Sequence, residues 1–279
     1  MDNIITTERI DAYCLSLLAD ERSAGTISKY RHDLTAFAQW LDGRAVTKES
    51  ATAWKACLLN RDYAPRTVNS MLAAVNGFCR FAGLPIKLKF LSIQRQIFRD
   101  SAKELTKEEY DRLLTTARES GQERLALIME TLCATGIRVS ELRYITVEAA
   151  KAGRATITLK GKIRTILLPA KLCRKLVKYA RKQKIAAGEI FHTSSGKGIS
   201  RRQVWFELKR LCRAAGVEPT KVFPHNLRHL FATTFYRAQR DIVRLADMLG
   251  HSSIDTTRIY LTVSGAEQQR QLDRLGLVS

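Results

Sequence analysis

One stretch of this chain reads as β-structure, and nearly all the rest keeps a helical period. RATITLKGKIRTILLP (Arg154 to Pro169) places two β-branched runs about Gly161-Lys162, the pattern of a hairpin. A lone hairpin cannot shield its own apolar face, so it has to lie on helices. This restricts the chain to a mainly α fold: an N-terminal all-helical domain, then a mixed α+β domain with one small sheet.

Four apolar stripes at helical spacing fill the first eighty or so residues. They run through Ile10, Tyr13, Cys14, Leu17 and Leu18; Ile27, Tyr30, Leu34, Phe37 and Leu41; Ala53, Trp54, Cys57 and Leu58; and Val68, Met71, Leu72, Val75, Phe78 and Phe81. GLPIKLKFLSIQRQIFRD (Gly83 to Asp100) loses the period and reads as a basic linker. Thr106 and Glu109 then form a capping box. These signals place a helical domain at 1–87, a linker at 88–103 and a second domain at 104–279.

In the second domain a helix over 122–134 stops at Ala134-Thr135-Gly136. A basic helix over 171–184 carries Leu172, Leu176 and Tyr179 on its apolar face. Ser200 and Gln203 box a further helix through Ala214, and residues 224–260 are helical with breaks at Gln239-Arg240 and Gly250.

At 279 residues, two domains are the natural expectation. The net charge of +20 calls for a polyanionic partner, nucleic acid or an anionic membrane surface. Residues 101–279 hold most of it, with 33 Lys/Arg against 17 Asp/Glu. No apolar run reaches membrane-spanning length, and MDNIITTERIDAY lacks the order of a signal peptide. Nucleic acid in the cytoplasm is the expected partner, with no membrane. The six cysteines are scattered and read as reduced packing residues.

The second domain also collects the groups that phosphodiester chemistry needs. A tyrosine nucleophile needs help losing its proton, since its ordinary pKa is near ~10. The charge growing on the phosphate suits planar, bidentate arginine, and the leaving alkoxide needs a proton donor. TGIRVSEL offers Arg138, with Glu141 one turn on to orient it. PHNLRH puts His225 and Arg228 on one helix face. LGHSSIDTTRIY sets His251 beyond a glycine break and Tyr260 nine residues later. Lys160 stands at the mouth of the hairpin. Neither a Walker-type P-loop nor a cluster of metal-binding carboxylates occurs, so no cofactor and no metal are expected.

In this order the motifs resemble those of the tyrosine recombinases, the phage-integrase or Xer-like family: ATGIRVSEL, a KG-containing hairpin, H-x-L-R-H, L-G-H, and T-x-x-Y. SAGTISKYRHDLTAFAQWL resembles the family's SAM-like core-binding domain, so the likeness spans nearly the whole chain. It departs in the spacing of KGKIRTILLP and in Tyr236–Asp241, which lacks the family's usual glycine at that helix break.

The resemblance implies that Arg138 and Arg228 clamp a scissile phosphate. Tyr260 attacks it, Lys160 (or its rival Lys162) protonates the leaving oxygen, His225 is the acid/base group, and His251 hydrogen-bonds the phosphate. Glu141 supports them, while His229, facing elsewhere, packs. Lys162, Arg164, Lys175, Lys178, Arg201 and Arg202 are expected on the DNA. The implied function is site-specific recombination through a 3′-phosphotyrosyl link and a Holliday junction, for integration, excision, inversion or resolution. The implied assembly is a homotetramer on specific double-stranded sites, with accessory DNA-bending proteins as possible partners. The tail Glu267–Ser279 offers Leu272, Leu275 and Leu277 for docking on a neighbouring protomer. Two other activities compatible with these motifs are a catalytically silent DNA-binding regulator and a type IB topoisomerase.

Overall fold

The computed structural model of the protein describes residues 3–94, 101–159, 162–193, 195–260, 269–270 and 273–275, except the side chains of Ser101, Leu159 and Lys162. Lys160, the Lys162 side chain, Leu272 and Leu277 thus lie outside the described residues. The chain divides into two compact units, Met1–Arg95 and Gln96–Ser279.

The first unit holds α1 (Thr7–Ala19), α2 (Ala24–Leu41), α3 (Lys48–Asn60) and α4 (Pro65–Phe81). Thr6, Ser23 and Thr47 cap the first three by accepting a backbone N–H, and Pro65 opens the fourth, where its missing N–H costs nothing. Leu34, Phe37, Leu41, Leu72, Val75 and Phe78 form the centre of its core. Three stripe positions are exposed instead: Leu18 at 62%, Phe81 at 46%, and Ala53 of α3, in whose place Ala51 faces inward. The start of the expected linker is tied down. Asn76 bonds both backbone groups of Leu88, and Asn69 does the same for Leu91.

The second unit is built round α6 (Glu123–Thr135), which is apolar on nearly every side and correspondingly buried. Packed against it are α5 (Lys107–Glu119), α8 (Ala170–Lys182), α9 (Arg201–Ala215) and α10 (Pro224–Gln239). Thr106 and Glu109 make the expected capping box at α5. At α9, Ser200 caps the Gln203 N–H, but the Gln203 side chain turns to Glu207 instead of completing a box. The short α7 (Val147–Ala152) leads into an antiparallel pair, β1 (Arg154–Leu159) and β2 (Lys162–Leu167). The register pairs Leu159 with Lys162, one residue earlier than the expected turn, so Lys162 belongs to the second strand. The chain closes with α11 (Ile242–Leu249) and α12 (Ile254–Arg258). Arg240 takes the left-handed break that glycine would occupy more easily, at φ 55°. Among the described residues no helix is long and apolar enough to cross a membrane.

Candidate active site

α6 ends at Gly136, which turns left-handed at φ +62°. A Cβ there would come within 2.3 Å of the Phe231 ring, so this glycine is required twice over. The turn delivers Arg138 to the start of a 3-10 turn over Val139–Tyr144. Glu141, 1% exposed, folds back onto it. Its Oε2 accepts the Arg138 backbone N–H at 2.7 Å, and its Oε1 the Arg138 Nη1 at 3.1 Å. The Arg138 guanidinium remains partly open to solvent. The sequence spacing had pointed to this orienting contact.

Arg228 lies on the inward face of α10, 3% exposed. Its guanidinium donates to the carbonyls of Gly136 at 2.5 Å and Leu249 at 2.8 Å. Those carbonyls terminate α6 and α11, and helix C-termini favour a cation. No carboxylate pairs with it within salt-bridge distance among the described residues. Burial, and then the charge of Arg138, push the Arg228 pKa down to about 10. The Tyr260 hydroxyl, as hydrogen-bond partner, and the Glu141 charge act in the opposite direction. Among the described residues its hydrogen-bond partners are neutral groups.

Gly250, left-handed at φ +65°, ends α11 and presents His251. The His251 Nε2 lies 3.1 Å from Arg228 Nη2, and its Nδ1 lies 2.8 Å from Thr257 Oγ1. Burial first, then the positive charges of Arg228, Arg138 and Arg164, lower its pKa to about 4, so the ring is neutral near pH 7. Tyr260, 4% exposed, stacks nearly parallel to His251 with ring centroids 6.1 Å apart and packs against Phe231, Leu245 and Leu249. His229, read as a packing residue, lies with its ring 5.0 Å from that of Tyr260.

His225 opens α10 just after Pro224 and is exposed. Partial desolvation, then the charges of Arg228, Arg201 and Arg138, hold it below its ordinary pKa. A neutral imidazole near pH 7 can accept a proton. The structure thus brings Arg138, Glu141, His225, Arg228, His251 and Tyr260 into one cluster.

The expected DNA contacts separate. Arg201 and Arg202 are exposed at the start of α9, and the Arg201 charge reaches His225. Lys178 is exposed in a shallow basic depression with Lys151, Arg174 and Arg181. Lys175 is instead paired with Glu130 of α6, at the edge of an apolar cavity of about 500 Å³ that contains none of the cluster. Arg164 points into the protein: its Nη2 donates to Glu141 Oε2 at 2.7 Å and its Nη1 to the Met248 carbonyl at 3.0 Å. The strand alternation explains this. Arg164 and Ile166 of β2 face inward, while Ile163 and Leu167 are exposed. Two residues to which the sequence motifs give no role also touch the site or its support. One is Thr257, part of T-x-x-Y but given no role; the other is Tyr144, whose hydroxyl donates to the Thr158 carbonyl of β1 and secures the hairpin from its other strand.

Comparison with known proteins agrees with this arrangement. The phage integrase family model matches residues 103–267, and the phage integrase N-terminal SAM-like domain matches residues 10–83. The chain is 33% identical to tyrosine recombinase XerC of Roseiflexus castenholzii, covering 91% of this chain and 88% of that protein. It is 29% identical to tyrosine recombinase XerA of Pyrococcus furiosus, over 99% and 97% respectively. Among solved structures, XerH site-specific recombinase bound to a difH substrate superposes with a TM-score of 0.70 at 17% identity, over 95% of this chain and 84% of that one. A lambda integrase from a tetramer on a Holliday junction gives 0.73 at 19% identity, over 93% and 78%. With both its domain models matched and its motifs gathered in one cluster, the chain belongs to the phage integrase family of tyrosine recombinases.

Proposed function

We propose that this protein cuts and rejoins duplex DNA at specific sites, with Tyr260 as the nucleophile. The convergence of Arg138, Arg228, His251 and Tyr260 carries this reading: two guanidinium groups, a neutral imidazole and a phenol within one chain. Three of these groups donate hydrogen bonds to a phosphate, and the fourth attacks it. Because the arginines supply the positive charge, the reaction needs no metal or nucleotide cofactor.

In the proposed step the Tyr260 oxygen bonds to phosphorus and the bond from phosphorus to the 5′ oxygen breaks. His225, held neutral, takes the phenolic proton, and Lys160 or Lys162 gives one to the leaving oxygen. The product is a 3′-phosphotyrosyl ester and a free 5′-hydroxyl. Attack by a 5′-hydroxyl from a second duplex reverses each transfer and restores the tyrosine. Because one ester replaces another, rejoining requires no ATP. Two rounds pass through a Holliday junction, which makes a tetramer on two sites the working assembly. The helical N-terminal unit and the basic second unit would each contact the duplex.

Covalent trapping tests this. The protein is incubated with nicked suicide duplexes tiled across the DNA flanking its own reading frame, beside Tyr260→Phe. A protein–DNA band on a denaturing gel that disappears in the variant is expected. A band that survives moves the nucleophile elsewhere. Efficient relaxation of plain supercoiled plasmid would favour topoisomerase activity, and tight binding with no band would favour the silent regulator.

A further inference from the structure

Arg164 touches both halves of the cluster without belonging to either. On one side its Nη2 reaches Glu141 Oε2, the same oxygen that receives the Arg138 backbone N–H, while Glu141 Oε1 takes Arg138 Nη1. On the other side its Nη1 donates to the carbonyl of Met248, three residues before His251. Its side chain also runs over Gly250: a Cβ on that residue would stand 2.3 Å from Nη1 and 2.7 Å from Cδ. Glycine there is demanded by the left-handed backbone and again by Arg164.

We propose that Arg164 is a positioning residue that sets the separation of Arg138 and His251, and that it makes this separation depend on the β1–β2 hairpin. The proposal rests on the recombinase function above. Arg138 reaches the site from the α6 turn and His251 from the α11 turn, 113 positions later in the chain. Glu141 orients Arg138 within its own turn, and Arg228 braces the ends of both α6 and α11 from beneath. Arg164 adds a second brace, from the strand side. A guanidinium suits the task because its fixed planar fork can serve a carboxylate and a carbonyl at once, in directions that an ammonium cannot hold together. The side chain is mostly buried, and its two named acceptors lie inside the protein, so it is not arranged to grip a DNA phosphate. Because β2 carries it, and Tyr144 anchors β1 to the turn holding Glu141, a displacement of the hairpin moves the phosphate-binding groups with it.

The test compares Arg164→Met, Arg164→Lys and the double variant Arg164→Met/Glu141→Gln, which also removes the carboxylate that the single change leaves with one fewer partner. Three quantities are measured. The first is DNA affinity against salt, which should keep the wild-type slope, since loss of a phosphate contact lowers it by about 1. The second is the single-turnover rate of covalent complex formation, expected to fall on the order of 100-fold in Arg164→Met, as for a displaced catalytic group, and to recover only in small part in Arg164→Lys, which can keep one of the two contacts. The third is the NMR titration of the His251 ring in the free protein, whose midpoint should rise when Arg164 is removed. A salt slope lowered by about one unit with wild-type cleavage would make Arg164 a DNA contact and overturn the proposal. So would unchanged cleavage in a folded Arg164→Met protein. The ring titration needs no DNA: should wild-type protein give no covalent band, the enzymatic reading fails on its own, and an unmoved His251 midpoint would sink the bracing role separately.

Discussion

His251 Nε2 lies 3.1 Å from Nη2 of Arg228, and this pair fixes which ring nitrogen carries the proton. An arginine can only donate, so Nε2 accepts and the hydrogen of the neutral ring sits on Nδ1. Nδ1–H then donates to Thr257 Oγ1 at 2.8 Å. This tautomer is wrong for donating to a phosphate. In the proposed reaction a phosphate oxygen would take over Arg228, so the ring hydrogen would move from Nδ1 to Nε2 and Nδ1 would accept a hydrogen bond instead of donating one. A threonine hydroxyl serves either arrangement, because it both donates and accepts.

Thr257→Val tests that switch. Thr257 is 0% exposed, and valine nearly preserves its shape, so the protein should fold with DNA affinity close to wild type. Without the hydroxyl neither tautomer is satisfied at Nδ1, and covalent complex formation should slow about tenfold, the size of one lost hydrogen bond of ~1.4 kcal/mol. Wild-type cleavage rates in Thr257→Val would rule the switch out. The nitrogen shifts of the His251 ring, followed on adding DNA, would show whether the tautomer changes.

Arg228 should serve stability and function together. It is a buried cation with backbone carbonyls, an imidazole and the Tyr260 hydroxyl as its named partners. Arg228→Met leaves the buried Gly136 and Leu249 carbonyls without their donor, at about 1–3 kcal/mol each. The variant should therefore melt below wild type and lose cleavage by about 10²–10³-fold, the scale for a lost transition-state donor. Thermal melts beside the suicide-substrate assay check both halves. An unchanged melting temperature would mean that the two helix ends stay together without the guanidinium.

Acid should weaken the fold through the same imidazole. The His251 pKa of about 4 lies below its ordinary 6.5, so between those values the unfolded chain holds a proton that the folded one refuses. Stability is then complete above about pH 6.5 and falls as pH drops towards 4, and His225 adds in the same direction. Melting temperatures from pH 7.5 to 4.5 should fall more steeply in wild type than in His251→Gln, which has nothing to titrate. Parallel curves would place the acid sensitivity in other groups.

What the sequence disclosed and what it hid follow the range of the contacts. Arg138 and Glu141 are three residues apart, so their contact could be read from spacing, and Gly136 and Gly250 mark helix ends by residue type. The burial of Arg228 could not be read, because its carbonyls come from 92 residues before it and 21 after. The inward direction of Arg164 was hidden for a related reason. A charged residue in a basic hairpin reads as solvent-facing, yet strand register turned Ile163 and Leu167 outward and sent the arginine in. The Ser200 and Gln203 spacing foretold a helix start correctly, although Glu207 claimed the glutamine side chain.

Gly136 and Gly153 offer a matched pair that isolates packing from backbone strain. Both are left-handed, at φ +62° and +69°, so alanine at either imposes a similar conformational cost of roughly 1 kcal/mol. Nothing lies within 4 Å of a Cβ at Gly153. At Gly136 the new methyl meets Phe231 Cδ1 at 2.3 Å and Leu249 Cδ2 at 3.0 Å. Gly136→Ala should thus destabilise the second unit by about 1–3 kcal/mol beyond Gly153→Ala, the usual range for overpacking. It should also slow cleavage, because the Gly136 carbonyl holds Arg228 and the same turn carries Arg138. Phe231→Leu combined with Gly136→Ala should recover part of the lost stability by making room. If the two alanine variants melt alike, the strain is purely conformational and the contact with Phe231 yields at no cost. If Phe231→Leu restores stability without restoring cleavage, the glycine matters to the reaction through the direction of its carbonyl.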